Sequence, residues 1–183
     1  MKGNSWLTQT QLKEAEIVIE KFILTKLKAK FSDSILEINE FRNELTLVVR
    51  KEDLVSICTF LRDDPELCFN FLSCLCGVDY PERKPRFDVV YELYSINKNH
   101  RIRLKVKVGE YESVPSVTAV WSTANWHERE VFDLFGISFD NHPDLRRILM
   151  PDDWEGHPLR KDFPLTKEEV MFTHNKNRPP RIK

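Results

Sequence analysis

The stretch Arg101–Val108 limits what this chain can fold into more than any other. Ile102, Leu104, Val106 and Val108 alternate without a break with Arg101, Arg103, Lys105 and Lys107. A period of two places one set on each side of an extended strand, so the pattern predicts a sheet with one buried and one wet face. The preceding Phe87–Ile96 is the natural partner, and antiparallel pairing suits a sheet open to water on one side. Four basic side chains on one face could in principle form a nucleic-acid platform. No aromatic residues interleave with them for base stacking, and 28 Lys and Arg against 29 Asp and Glu leave the chain at −1. A solvated face, or one meeting an acidic protein, is the better reading.

Helical signals flank this sheet. Leu12, Ala15, Ile19, Phe22, Ile23 and Leu27 recur at three- and four-residue spacing and predict an amphipathic helix over Thr8–Lys30. Ile35–Ile38 and Leu45–Val49, joined through Phe41-Arg42-Asn43-Glu44, predict a β-hairpin. A second helix starts at Asp53 as N-cap, carries Leu54, Ile57, Cys58 and Leu61 inward and stops at Asp63-Asp64-Pro65. A third spans Ala124–Phe135. Asn125 with Glu128 resembles a capping box, and Gly136 stands where a helix ends. The fold class is therefore α+β, an antiparallel or mixed sheet packed with helices. At 183 residues the chain needs no metal or disulfide to fold.

After Gly136 the texture changes. Six of the ten prolines follow residue 141 (Pro143, Pro151, Pro158, Pro164, Pro179, Pro180), which predicts an extended, irregular segment. Leu145, Ile148, Leu149, Met150, Trp154, Leu159, Phe163 and Leu165 would anchor it, either on its own domain or on a partner. The division expected is an α+β domain over 1–137 and a partner-binding extended segment over 138–183. Thr173–Lys183 is polar and basic, a composition that orders on contact.

The residues that could carry chemistry argue against an autonomous active site. Cys58, Cys68, Cys74 and Cys76 form no C-x-x-C pair, and the last three lie in an apolar run where cysteine acts as a small buried hydrophobe. His127-Glu128 begins like a metalloprotease motif, but Val131 holds the place of the second histidine. Glu130 and Asp133 lie one turn apart, and Arg129 has the spacing to pair with Asp133, so an ion-paired helix face outweighs an acid/base dyad. There is no phosphate-cradling glycine loop, no nucleophile elbow and no run of about 20 apolar residues. The opening residues lack a secretory or transit signal, so a reducing, cytosol-like compartment is expected.

One region carries a specific resemblance. Glu128-Arg129-Glu130 is followed by two residues, Asp133, two apolar residues, six residues, His142, three residues, Arg146, one residue, and then Ile148-Leu149. With the later Gly156-His157-Pro158-Leu159-Arg160-Lys161-Asp162-Phe163-Pro164-Leu165, this strongly resembles the C subunit of proton-pumping NADH:quinone oxidoreductase, respiratory complex I. The resemblance implies a non-catalytic subunit of the hydrophilic arm, peripheral on the cytoplasmic side of the membrane. Such a subunit holds no FMN, iron–sulfur cluster or quinone itself. Those sit in partner subunits, and it packs against the quinone-site D subunit. The resemblance further implies that Glu128, Arg129, Glu130 and Asp133 lock the helix and following loop, with His142 and Asp162 in the same motif. Arg146, Arg147, Arg160 and Lys161 would meet acidic groups on neighbours. A related membrane-bound hydrogenase or ferredoxin-driven quinone oxidoreductase is the alternative, since this subunit touches no electron donor. A free-standing hydrolase built on Glu128, Glu130 and Asp133 is an alternative of another class.

Overall fold

A computed structural model of the chain describes residues 9–164 apart from residue 43, with side chains from residue 19 onward. The alternating segment forms β5 (His100–Val108), paired antiparallel with β4 (Phe87–Ser95) from Phe87↔Val108 to Ser95↔His100. The hairpin is also present, as β1 (Ile35–Phe41) and β2 (Glu44–Val49). The apolar, cysteine-bearing run is a strand as well, β3 (Phe71–Asp79), antiparallel to β4. The sheet runs β1-β2-β5-β4-β3, and β2 lies parallel to β5, which makes it mixed.

The long helix α1 spans Gln9–Phe31, α2 Leu54–Asp63 and α3 Ala124–Phe135. One buried cluster joins Ile23 and Leu27 of α1, Leu54, Ile57, Cys58 and Leu61 of α2, and Val131 and Phe135 of α3 to the inward residues of β2, β4 and β5. All three helices thus feed the same face of the sheet. Phe22, expected inward, is instead 41% exposed, with the Lys26 ammonium over its ring. The side chains of Leu12 and Ala15 lie outside the described residues, as do Leu165 and the basic stretch Thr173–Lys183. Asp53 occupies the N-cap position of α2, but its carboxylate accepts from Ser34 Oγ at 2.7 Å rather than from the helix.

The other face is covered by charge. Arg103 lies between Glu44 of β2 (2.8 Å) and Glu92 of β4, Lys107 pairs with Glu37 of β1, and Arg101 reaches Glu44 at 3.5 Å. The acids that answer the basic row therefore come from neighbouring strands. Lys105 faces Val48 and Val90 across the sheet, and both are buried. Long aliphatic stems shield such residues while their heads stay wet.

A small parallel pair, β6 (Ser113–Pro115) and β7 (Ser138–Asp140), brackets α3. At Gly77 of β3 an added Cβ would lie 2.8 Å from the Phe135 ring, so glycine there lets α3 settle on the sheet. The cysteine expectation needs correction. Cys58 is buried, but Cys68 and Cys74 are half-buried and Cys76 is exposed. The register pairs Cys74 with Glu92 and Cys76 with Val90, so these two share the charged face with them rather than the core.

Candidate assembly site around the carboxylate helix

A helix that ends inside a protein leaves its last four carbonyls without helical partners. In α3 every one of them is met. The Gly136 N–H donates to Phe132 O at 2.9 Å, His157 Nδ1–H to Asp133 O at 2.9 Å, the Leu159 N–H to Leu134 O at 3.1 Å, and Arg160 Nε to Phe135 O at 2.6 Å. Three of the four donors come from the proline-rich segment 141–164, which we call the strap. Cationic Arg160 also suits the negative end of the helix dipole. Gly136 takes the left-handed conformation (φ 73°) that turns the chain out of the helix, as its place in the sequence predicts.

The strap is fastened a second time from the helix side. Asp133 is fully buried, and its Oδ2 accepts the N–H groups of Ile148 (3.0 Å), Leu149 (2.8 Å) and Met150 (2.8 Å). Its Oδ1 takes Arg147 Nη1 at 2.6 Å. Burial alone would raise this carboxyl's pKa, but the bonds from Met150, Arg147, Ile148 and Leu149 outweigh it and hold the pKa below the ordinary value. Arg147 also donates to Trp154 O at 3.0 Å and Gly156 O at 3.1 Å, gathering the strap into a loop. The expected Arg129–Asp133 pair does not form. Arg129 instead donates to Arg146 O (3.1 Å) and Arg147 O (3.0 Å), beneath the exposed Trp126 ring.

Glu128 is no capping residue. The N-cap of α3 is Thr123, and no side chain caps it. The Glu128 carboxyl points into the protein, accepting the Val117 N–H at 2.7 Å and Ser116 Oγ–H at 2.6 Å. Burial pushes its pKa up to about 7, although both bonds oppose the rise. His142 lies beside it, 4.0 Å away and equally buried. Because His142 Nδ1 accepts the Asp144 N–H, its Nε2 carries the proton and donates to Asn125 O at 3.2 Å. Glu130 is exposed. Glu128, Glu130 and Asp133 thus point to three different places and form no common cleft.

The far end of the strap is tied to the sheet. Asp79, buried at the end of β3, holds Arg86 through two bonds of 2.7 and 2.8 Å and accepts the Lys161 N–H at 2.8 Å. Arg86, the largest cause, lowers the Asp79 pKa. Asp162 pairs with Arg86 at 2.9 Å, and Glu110 accepts from both Arg86 (3.3 Å) and Arg160 (3.2 Å). Arg147 and Arg160 are therefore engaged within the chain. Arg146, mostly exposed and paired with Asp144, and Lys161, also exposed, point outward. Arg86, Glu110 and Ser116 escape sequence reasoning, because only the fold brings their partners near. His157 stands in a turn whose sequence echoes that at His142, a signal too weak to single it out as a cap.

A family model described as "Respiratory-chain NADH dehydrogenase, 30 Kd subunit" matches residues 47–169, from β2 through the strap. The chain belongs to this family. It is 59% identical over 157 residues to the NADH-quinone oxidoreductase C subunit of Roseiflexus sp. (strain RS-1), covering 85% of this chain and 90% of that protein. Identity with the corresponding C subunit of Geotalea uraniireducens (strain Rf4) is 57% over 141 residues, covering 76% and 85% of the two chains. The matched span of this 30-kDa-subunit family contains α3, the strap and Asp79–Arg86, while α1 and β1 lie outside it. Among the described residues no group of three or more His, Cys, Asp or Glu is placed to hold a metal ion. No described helix is long and apolar enough to cross a membrane.

Proposed function

We propose that this chain is a structural subunit of the hydrophilic arm of proton-pumping NADH:quinone oxidoreductase. That complex passes electrons from NADH through FMN and iron–sulfur centres to quinone. The chain makes no bonds itself, and its membrane contact comes only through the complex. Its partners are the quinone-site D subunit and neighbouring cluster-bearing subunits. The observation that supports this reading best is the fixed strap. Asp133 and the α3 carboxyl end consume their polar groups in holding 141–164 against the domain, and this leaves Arg146, Leu149, Leu159 and Lys161 turned outward. A surface of apolar anchors and separate cations suits a protein neighbour, while electron transfer between partners requires fixed distances that a rigid scaffold supplies.

Co-purification tests the reading. A tagged chain extracted in mild detergent should bring down the quinone-site and cluster-bearing subunits together with NADH:quinone activity. A chain found solitary in the cell, or carrying a tightly held prosthetic group of its own, would overturn it.

A further inference from the structure

β1 is an outer strand of the sheet, and among the described residues its only strand neighbour is β2. Its one irregularity falls between Ile35 and Glu37, which leaves residues 37–41 in unbroken register. Two residues, Arg42 and Asn43, separate Phe41 from its partner Glu44. A loop that short is closed by a hydrogen-bonded pair, and bonded and unbonded pairs then alternate along the ladder. Phe41, Asn39 and Glu37 therefore spend their backbone groups on β2, while Glu40 and Ile38 turn theirs to the open edge. We propose that this edge receives an extended strand of another polypeptide, one carrying a lysine or arginine two positions from an aliphatic residue.

An unpaired edge is a template for a further strand unless something guards it, and lysine or proline is a common guard. β1 has neither, and it exposes Leu36, Ile38 and Phe41. In strand addition main-chain hydrogen bonds supply the affinity, and alternate side chains supply the selectivity. Ile38 and Glu40 lie on one face, beside their partners Leu47 and Leu45, and both are exposed. Glu37 is answered by Lys107 of this chain, whereas no described residue pairs with Glu40. An incoming strand thus meets an aliphatic and an anionic side chain two positions apart, which its own aliphatic residue and base complement. A second copy of this chain lacks that match. Antiparallel pairing centred on Asn39 or on Ile38 sets Glu40 against Ile38 or Leu36 of the other copy, with no base opposite. The site does not rest on the function proposed above, because the strap is tied to β3 at the opposite edge.

The probe is an end-capped threonine peptide with one valine and one lysine two positions apart, labelled with fluorescein and titrated with the full-length chain. Saturable binding is expected. Hydrogen exchange should slow at the Ile38 and Glu40 amides and hardly change at Asn39 and Phe41, already bonded to β2. Methylating alternate peptide nitrogens should abolish binding in one frame and spare it in the other. Replacing the peptide lysine by glutamate should weaken binding about two- to fivefold, as expected from the loss of one opposite-charge cross-strand pair. Glu40→Lys should reverse that preference. Absence of binding, protection elsewhere, indifference to the methylation frame or an unreversed preference would overturn the proposal. Slowing of the same amides in the chain alone, growing with its concentration, would make a second copy the occupant and equally overturn it.

Discussion

Asp133 and Glu128 sit five residues apart on one helix, both fully buried, and burial acts on them with opposite net results. Asp133 gathers three backbone donors and a guanidinium, so its charge is balanced. Glu128 receives one backbone N–H and one hydroxyl, too little to offset the lost hydration. Asp133→Asn keeps the shape but has a single acceptor oxygen, so its NH2 must face either the Arg147 guanidinium or the three backbone N–H groups, and one of the two sets loses its acceptor. Removing one partner of a buried pair costs about 3–5 kcal/mol, so urea unfolding of Asp133→Asn should show a loss of that size. Because the folded Asp133 pKa lies below its unfolded value, its contribution is complete above about pH 4 and disappears as pH falls through the folded pKa. Glu128 has the opposite sign. Its folded pKa of about 7 exceeds the unfolded one, so the folded state binds the extra proton and stability declines as pH rises from about 4.5 to 7. Glu128→Gln can accept from Val117 and donate to Ser116. It should flatten that decline and be more stable than the parent at pH 8 by up to roughly 3 kcal/mol. Urea midpoints between pH 5 and 8 would show it, and parallel slopes for both proteins would refute the assignment.

Among the elements, α3 depends most on the strap. Gly136→Ala would place a Cβ 2.5 Å from His157 Nε2 and 2.9 Å from Arg160 Nη2, in a left-handed conformation that itself costs about 1–2 kcal/mol. Both caps would have to move, so the thermal midpoint should fall by more than the conformational cost alone explains. A drop no larger than that cost would show that the caps hold little of α3. Local chemistry makes the helix and its Gly136 stop legible in the sequence, just as the period of two makes β5 legible. The strand β3 is harder to read, because its cysteines and Gly77 blur the alternation and its bulge between Leu72 and Cys74 breaks the register. The parallel contact of β2 with β5 and the Asp133–Arg147 clasp depend on residues far apart in the chain, where spacing rules are silent. Arg129 shows the limit well. Its spacing to Asp133 suits an exposed helix, but burial makes both side chains seek the strap instead.

At the scale of the whole molecule, the strap is both the finish of the domain and the surface it offers. Cutting the chain after Ile137 would strip Asp133 of four donors, Asp79 of the Lys161 N–H and α3 of three carboxyl-terminal partners. Several buried acceptors left unmet at about 1–3 kcal/mol each amount to most of a small domain's stability. A truncated chain that fails to bind partners therefore says little about the interface, and replacing Arg147 has the same defect. Arg146 and Lys161 offer a cleaner test, because their side chains point outward and the one surface pair broken, Arg146–Asp144, is of a kind worth about 0–1 kcal/mol. Arg146→Ala combined with Lys161→Ala should leave the urea midpoint of the isolated chain nearly unchanged. If these cations meet acidic groups on neighbours, the yield of assembled complex should fall, more steeply as salt is raised, with turnover per assembled complex preserved. Normal yield with collapsed turnover would instead give the strap a direct part in catalysis. Normal yield with normal turnover would move the interface elsewhere on the molecule.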